Sequence, residues 1–395
     1  MPKATTKKAV TIGFICVATY MANYYLRNLL SVMAPMLMET GLYTETHIGE
    51  LSSTYMILYA AGQLINGVLG DRLSPKKMVL IGIITASIAT VAFPLTPNAF
   101  VQYIYFAALG FGLSMVRGPL MKIISENTEP NQARTICVFF SFASFAGPLI
   151  ASLFAMANNW VWGYLLAGIL AVVVAAIAYV GLNTLERKGT ITYRSSKGEG
   201  FGALLSVFQI EKFGFYMAIA CIVEIAGASV SFWIPTFLND GLQFDKDTAN
   251  FIFTGISTCR SFMPFVALAI FRATKEKDIP MMRVSLALSA VLFLCMMVAP
   301  NRYVSIAFLL LALMSMSCTS ALLWSIYIPS LGKTGKVSSV NGILDCTGYI
   351  AAALANLLFA NVMANVGWNV VFLLWASLGV IGIISTLFVK NKKAG

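Results

Sequence analysis

The sequence predicts an all-α integral membrane protein of twelve transmembrane helices in two pseudo-symmetric six-helix bundles. Three observations carry that prediction. The chain of 395 residues is 58% hydrophobic and only 11% charged, whereas soluble domains carry about 25% charged residues. Its apolar residues gather into runs long enough to cross the hydrocarbon layer, which takes roughly 20 residues of helix. The Lys and Arg residues between runs crowd the termini and every second gap.

In chain order the runs are 10–38, 49–70, 78–94, 100–124, 134–157, 160–182, 213–238, 247–271, 280–299, 303–330, 337–365 and 368–389. Lys3, Lys7 and Lys8 precede the first run, and Arg72, Lys76 and Lys77 follow the second. Arg187, Lys188, Arg194, Lys197 and Lys212 fill the gap after the sixth, while the odd-numbered gaps hold only Lys246 and Arg302. Lys and Arg are retained on the cytoplasmic side, so both termini are expected there, in a multi-pass protein of the inner (cell) membrane. The first run is too long for a signal-peptide core and lacks a small-x-small cleavage site, so it reads as a retained helix. The net charge of +11 reads as loop charge facing anionic membrane lipid, and no nucleic-acid partner is expected.

The seven cysteines (Cys16, Cys137, Cys221, Cys259, Cys295, Cys318 and Cys346) all lie inside apolar runs and form no CxxC pair. They read as small hydrophobes, not as disulfides or metal ligands. His47, the one histidine, sits at the outer mouth of the second run with no clustered partner. No P-loop is visible, and no Ser-His pair or His/Cys/carboxylate cluster is present for bond chemistry. The expectation is a protein that is not an enzyme, with no cofactor and no metal, driven by a gradient.

The longest polar interval, 183–212, contains Gly189, Gly198, Gly200 and Gly202 with Ser195 and Ser196, a composition suited to a flexible linker. It divides an N-terminal six-helix bundle, 1–182, from a C-terminal one, 213–395. The two parts echo each other at an offset of 200 residues: Pro35 and Gly41-Leu42 match Pro235 and Gly241-Leu242, and Arg72 and Lys77 match Arg272 and Lys277. Parallel six-helix repeats build one class of transporter, with the substrate near the midplane. A monomer is the default for that architecture.

Ionisable groups inside membrane helices are costly and normally face the bundle interior or a water-filled path. Six stand out: Arg27, Arg117, Lys122, Glu224, Arg260 and Asp345. Even with Lys122 reaching toward the interface, three arginines exceed two acids. Arginine's planar fork suits carboxylate or phosphate, so a small anionic solute is the expected partner. Asn23 and Tyr24 lie one turn before Arg27 and would share its face. Arg117 precedes the helix-loosening Gly118-Pro119 and reads equally as a gating or a binding group. Asp345 reads as a proton carrier, an arginine partner or a hydrogen-bond anchor.

The gap after the second run, Gly67-Val-Leu-Gly70-Asp71-Arg72-Leu-Ser-Pro75-Lys76-Lys77, resembles the loop signature of the major facilitator superfamily. Within it, Asn23-Tyr24-Tyr25-Leu-Arg27-Asn28 through Ala34-Pro35 resembles the first helix of the organophosphate:phosphate antiporters. Phe232-Trp233-Ile-Pro235-Thr-Phe237-Leu238 is similar to that family's seventh helix, and Gly348-Tyr349 with Gly367-Trp368 to the junction of its last two. The resemblance implies that Arg27 binds the anionic group; Asn23 and Tyr24 are expected to orient it, and Lys122 and Arg260 to complete a positive field. Charge-pairing or coupling roles are expected for Glu224 and Asp345, and gating roles for Asp71, Arg72 and Arg117. One position departs from it: Gly227 stands where the glycerol-phosphate branch has a second arginine. The first helix also resembles that of the anion:cation symporters. The expected function is alternating-access exchange of an organophosphate for phosphate. Proton-coupled symport of a carboxylate or sugar acid is the alternative, and a transporter-like sensor a remoter one. Protons or inorganic phosphate are the coupling ions left open.

Overall fold

All twelve runs are helical in the computed structural model, which describes residues 6–156, 159–194, 206–365 and 367–387. Lys3, Ser195, Ser196, Lys197, Gly198, Gly200 and Gly202 lie outside the described residues, as does the side chain of Phe232. Packing divides the chain into two compact units, Met1–Val207 with Tyr327–Cys346, and Phe208–Ile326 with Thr347–Gly395.

The first unit contains α1 (Thr6–Glu39), α2 (Glu45–Arg72), α3 (Pro75–Ala92), α4 (Ala99–Ser114), α5 (Arg117–Asn127), α6 (Pro130–Ala155) and α7 (Trp160–Arg187). The fourth run is thus two helices, α4 and α5, broken at Met115 and Val116. Pro119 has no N–H to return to the Met115 carbonyl, which leaves that turn without its α-helical bond. Starts follow local chemistry: the Asn98 and Asn159 side chains accept the first free amides of α4 and α7, donors that a helix cannot satisfy internally. α1 ends near Gly41, whose φ of 72° is the left-handed conformation glycine adopts most readily. Past α7, the Thr192 amide donates to Asn127 Oδ1 at 2.8 Å, and the Arg194 amide to Glu126 Oε2 at 2.9 Å. These two bonds dock the start of the predicted linker on the end of α5.

The second unit contains α8 (Phe213–Thr236), α9 (Lys246–Ala273), α10 (Asp278–Met296) and α11 (Arg302–Ala321). The twelfth run becomes α13 (Trp368–Leu387), and α12 (Val337–Asn365) begins in the first unit and continues in the second. The tenth run passes from α11 through a widened π turn, Leu322–Tyr327, into Ile328–Ser330. α8 bends by 43° between Phe213–Ser229 and Trp233–Gly241. The Asp245 side chain accepts the Thr248 amide at 2.9 Å to cap α9, and that bond holds its carboxyl below the usual carboxylate value.

The repeat legible in the sequence recurs as a packing pattern. In the first unit α1 and α3 each pack on α7, α2 packs on α4, and α3 packs on α4. The equivalents in the second unit pair in the same way: α8 and α10 on α13, α9 on α11, and α10 on α11. The core of the second unit includes Ile234, Phe237, Leu238, Phe293 and Trp375. Trp375 Nε1 donates to Ser229 Oγ at 3.0 Å, so the buried indole keeps a partner.

Outward faces are apolar, the reverse of a soluble surface. Phe14, Ile57, Ile88, Ile177, Phe251 and Val284 are all exposed, as side chains bathed in lipid should be. Among the described residues nine helical spans are long and apolar enough to cross a membrane, and the bent pair in α8 makes a tenth. α2 is not among them; it carries Gln63 and Asn66, both buried. The protein spans the membrane many times, as the composition predicts.

Candidate functional site

Two charged clusters form inside the first unit. The first gathers around Asp345 on α12, which is 1% exposed. Arg117, placed at the start of α5 by the break after α4, donates from Nη1 to Asp345 Oδ1 at 2.6 Å. Asn341, one turn earlier on α12, donates from Nδ2 to Asp345 Oδ2 at 2.9 Å. Both carboxylate oxygens therefore have donors, which a buried charge requires.

Arg27 stands on α1. Its guanidinium lies 5.2 Å from the Tyr59 ring centre and 5.8 Å from that of Tyr24, within cation–π range. Tyr20 packs edge-on against Tyr24 and stacks on Phe140 at 4.4 Å. A face of α1 and α2 thus presents tyrosine rings to a guanidinium. Arg27, Tyr24 and Arg117 all keep part of their surface open.

The second cluster surrounds Asp71 at the end of α2. Asp71 is 2% exposed and Lys122 1%, with Nζ 3.5 Å from Asp71 Oδ1. Nζ also donates to the Asp71 backbone carbonyl at 2.9 Å. The carboxylate accepts the Ser338 amide at 3.1 Å and the Ser339 amide at 2.7 Å. Those amides belong to the first turn of α12, where N–H groups have no intrahelical acceptor. Asp71 therefore caps α12 from another helix, and its charge is favoured at that helix N-terminus.

Glycines bring the backbones close enough for this. A Cβ on Gly342 would sit 2.2 Å from the Gln63 carbonyl oxygen, and one on Gly67 would sit 3.0 Å from Gly342 Cα. Gly70 and Gly118 leave the space that the Ser338 hydroxyl occupies. Close crossings of this kind let helices associate in the absence of a hydrophobic driving force.

The sequence expectations meet this geometry as follows. Lys122, expected beside the anion, is committed to Asp71, because a buried ammonium needs a carboxylate at contact distance. Asn23, expected to orient the ligand, donates its amide to the Leu113 carbonyl at 2.9 Å and is 1% exposed; this bond ties α1 to α4. Arg117 and Asp345 come together. Arg72 ends α2, half-buried. In the second unit, Arg260 donates from Nε to Ser317 Oγ at 3.3 Å. It belongs to none of the ion pairs among the described residues. Glu224 packs against Gly348, where a Cβ would sit 2.6 Å from its Cγ.

Several partners escape the sequence reading. Asn341 is flagged only by its place four residues before Asp345, and Tyr59 by the Tyr55/Tyr59 spacing on α2. His47 has partners after all: Nε2 lies 3.0 Å from Gln102 Oε1 and Nδ1 lies 3.2 Å from the Tyr103 hydroxyl, which also donates to Glu50. No group of three or more His, Cys, Asp and Glu side chains suited to a metal ion occurs among the described residues.

Helical units that repeat one packing pattern, carry lipid-facing exteriors and hold charges inside define a polytopic membrane transporter. The chain belongs to the Major Facilitator Superfamily, whose family model matches residues 16–353. It is 22% identical over 386 residues to the phosphoglycerate transporter protein of Salmonella typhimurium, covering 88% of this chain and 82% of that one. It is likewise 22% identical over 420 residues to the probable sulfoacetate transporter SauU of Cupriavidus necator, covering 99% and 95%. Among solved structures, FucP in the outward conformation superposes with a TM-score of 0.78 at 14% identity, covering 98% of this chain and all of that one. The resemblance to organophosphate carriers read from the first helix is thus matched by relatives along the chain.

Proposed function

We propose that the protein is a secondary active transporter of small organic anions that exchanges an organophosphate for inorganic phosphate. It would work across the inner membrane, with both termini in the cytoplasm. The observation that carries this reading is the gathering inside the first unit of the Arg117–Asp345 pair and of Arg27 against the Tyr24 and Tyr59 rings. Arginine forks match oxyanion geometry and remain charged when desolvated. Two relatives are named for phosphoglycerate and sulfoacetate, both small organic anions, which supports the same substrate class.

In this reading Arg27 anchors the anionic head against Tyr24 and Tyr59, and Arg260 adds positive charge from the second bundle. The bundles 1–182 and 213–395, joined by 183–212, rock in alternating access. Asp71 with Lys122 holds the start of α12 in one state, and Arg72 flanks that latch. Exchange follows if the unloaded carrier reorients slowly. Proton-coupled symport of a carboxylate or sugar acid is the rival, favoured by one observation, the buried Asp345 carboxylate beside Arg117.

A thermal-shift screen of the purified protein against phosphate, sugar phosphates and sugar acids tests the ligand class, because a ligand that binds only the folded form raises the melting point. Arg27→Ala is expected to abolish the shift; an unchanged shift removes Arg27 from the site. In proteoliposomes, exchange requires that efflux of labelled phosphate depends on an external anion and persists with an uncoupler.

A further inference from the structure

We propose that residues near both ends of the 183–212 linker form a strap that fastens the turn before α12 onto the end of α5, and that this strap limits how often the turn lifts. The strap stands on contacts within the first unit; its effect on transport rate rests on the carrier reading above.

The composition of 183–212 suits a flexible chain, yet its first residues are held. Gly189, at a φ of 67°, turns the chain out of α7, and the Thr190 amide donates back to the Leu185 carbonyl at 2.9 Å. Ile191 is then buried, and the Thr192 and Arg194 amides are taken by the Asn127 and Glu126 side chains at the last turn of α5. From that position Arg194 Nη1 donates to the Lys333 carbonyl at 2.7 Å. Toward the other end of the linker, Ser206 Oγ accepts from Lys336 Nζ at 2.5 Å. Two linker residues, one near each end, thus grip the same segment, 333–336. All of these residues belong to the first unit.

The gripped segment lies directly on α5. A Cβ on Gly332 would sit 2.1 Å from the Ser125 carbonyl oxygen, so the backbone of the turn covers Ser125. The turn shapes itself locally: the Thr334 amide and hydroxyl both return to the Leu331 carbonyl, and the Lys336 amide donates to Thr334 Oγ1. The strap adds two polar bonds that leave the turn. Arg194 is exposed and Lys336 half-buried, and at such places a hydrogen bond trades against water at small net cost. These bonds can open and re-form without unwinding a helix, and segments that move in function are drawn from weakly held parts of this kind. The turn runs straight into the α12 residues whose amides Asp71 accepts. Strap and latch therefore resist the same movement, one from an exposed edge and one from a buried pair.

The test places Ser125→Cys under the turn and follows its labelling by a water-soluble thiol reagent, resolved by site with mass spectrometry so that the native cysteines do not interfere. Arg194→Ala with Lys336→Ala removes both strap bonds. It should speed labelling by about threefold or more, the effect of losing hydrogen bonds at the low end of their net worth, with a melting temperature close to the parent's. Equal labelling with and without the strap bonds overturns the proposal. A crosslink works in the other direction: a Cβ on Gly335 would lie 3.9 Å from Arg194 Cβ, a spacing that a disulfide spans. Arg194→Cys with Gly335→Cys, once oxidised, should stop phosphate exchange in proteoliposomes until a reductant is added, and undiminished exchange in the oxidised form overturns the limit on transport. Gly335 has a φ of 70°, so Gly335→Ala is the control for backbone strain; should that control not fold, the labelling result decides alone. Labelling that responds to the strap in a protein that exchanges no phosphate sinks the carrier reading and leaves the strap standing. Exchange with labelling indifferent to the strap does the reverse.

Discussion

The two charged clusters of the first unit are built from the same residue types and differ in saturation. Around Asp71 every group is committed: the carboxylate takes two backbone amides and an ammonium, and both ion-pair partners are almost fully buried. Around Asp345 the acid is equally buried, but the Arg117 side chain paired with it is 13% exposed. A saturated buried pair favours one arrangement of the helices that carry it. A partly open pair can exchange one of its members for a ligand. The same residue types therefore read as a latch in one cluster and as a candidate site in the other.

The largest expected effect breaks the latch. Asp71→Ala strands Lys122 and the first amides of α12, and should cost about 3–5 kcal/mol in a detergent thermal melt. Adding Lys122→Met should recover most of that loss, since removing both charges avoids the uncompensated one. If the double variant melts as low as Asp71→Ala, the pair is not what holds that end of α12.

Gly342→Ala probes the same region without touching charge. Its methyl meets the Gln63 carbonyl at 2.2 Å, and such overpacking costs about 1–3 kcal/mol. Anion affinity should change far less than melting temperature. A variant that melts normally would show that the α2–α12 crossing has slack.

The smallest effect belongs to the open cluster. Tyr59→Leu removes a ring 5.2 Å from the Arg27 guanidinium, a contact of about 0.5–2 kcal/mol. It should weaken anion binding severalfold with little change in melting, while Tyr59→Phe should bind nearly as the parent does. Equal loss in both variants would place the hydroxyl, and not the ring face, at work on the ligand.

Each of the twelve helical stretches was legible as a run of apolar residues, because hydropathy sums over neighbours in the chain. Breaks within runs were half legible. Gly118-Pro119 marked the fourth run as weak, but only the structure places the break at Met115 and Val116 and Arg117 at the start of the new helix. The π turn at Leu322–Tyr327 had no comparable marker. In the site, the six ionisable groups inside the membrane helices were visible as anomalies of charge in an apolar setting. Their partners were not: Arg117 and Asp345 lie 228 residues apart, and Asp71 caps an amide 267 residues away. Four bases and two acids allow many pairings, and spacing along the chain ranks none of them. Lys122 shows the consequence, having been counted with the anion when its partner is Asp71.

The sequence by itself determined that this chain spans the membrane many times, that its halves echo each other, and that its apolar runs carry more bases than acids. Those properties are sums over local stretches, and solvation by lipid leaves few alternatives to satisfying the backbone within helices. The tertiary structure decided which base meets which acid, which pair stays partly open, and that one carboxylate caps a helix far along the chain. Coulomb and hydrogen-bond energies change over ångströms, a scale that only the packing of separate helices sets.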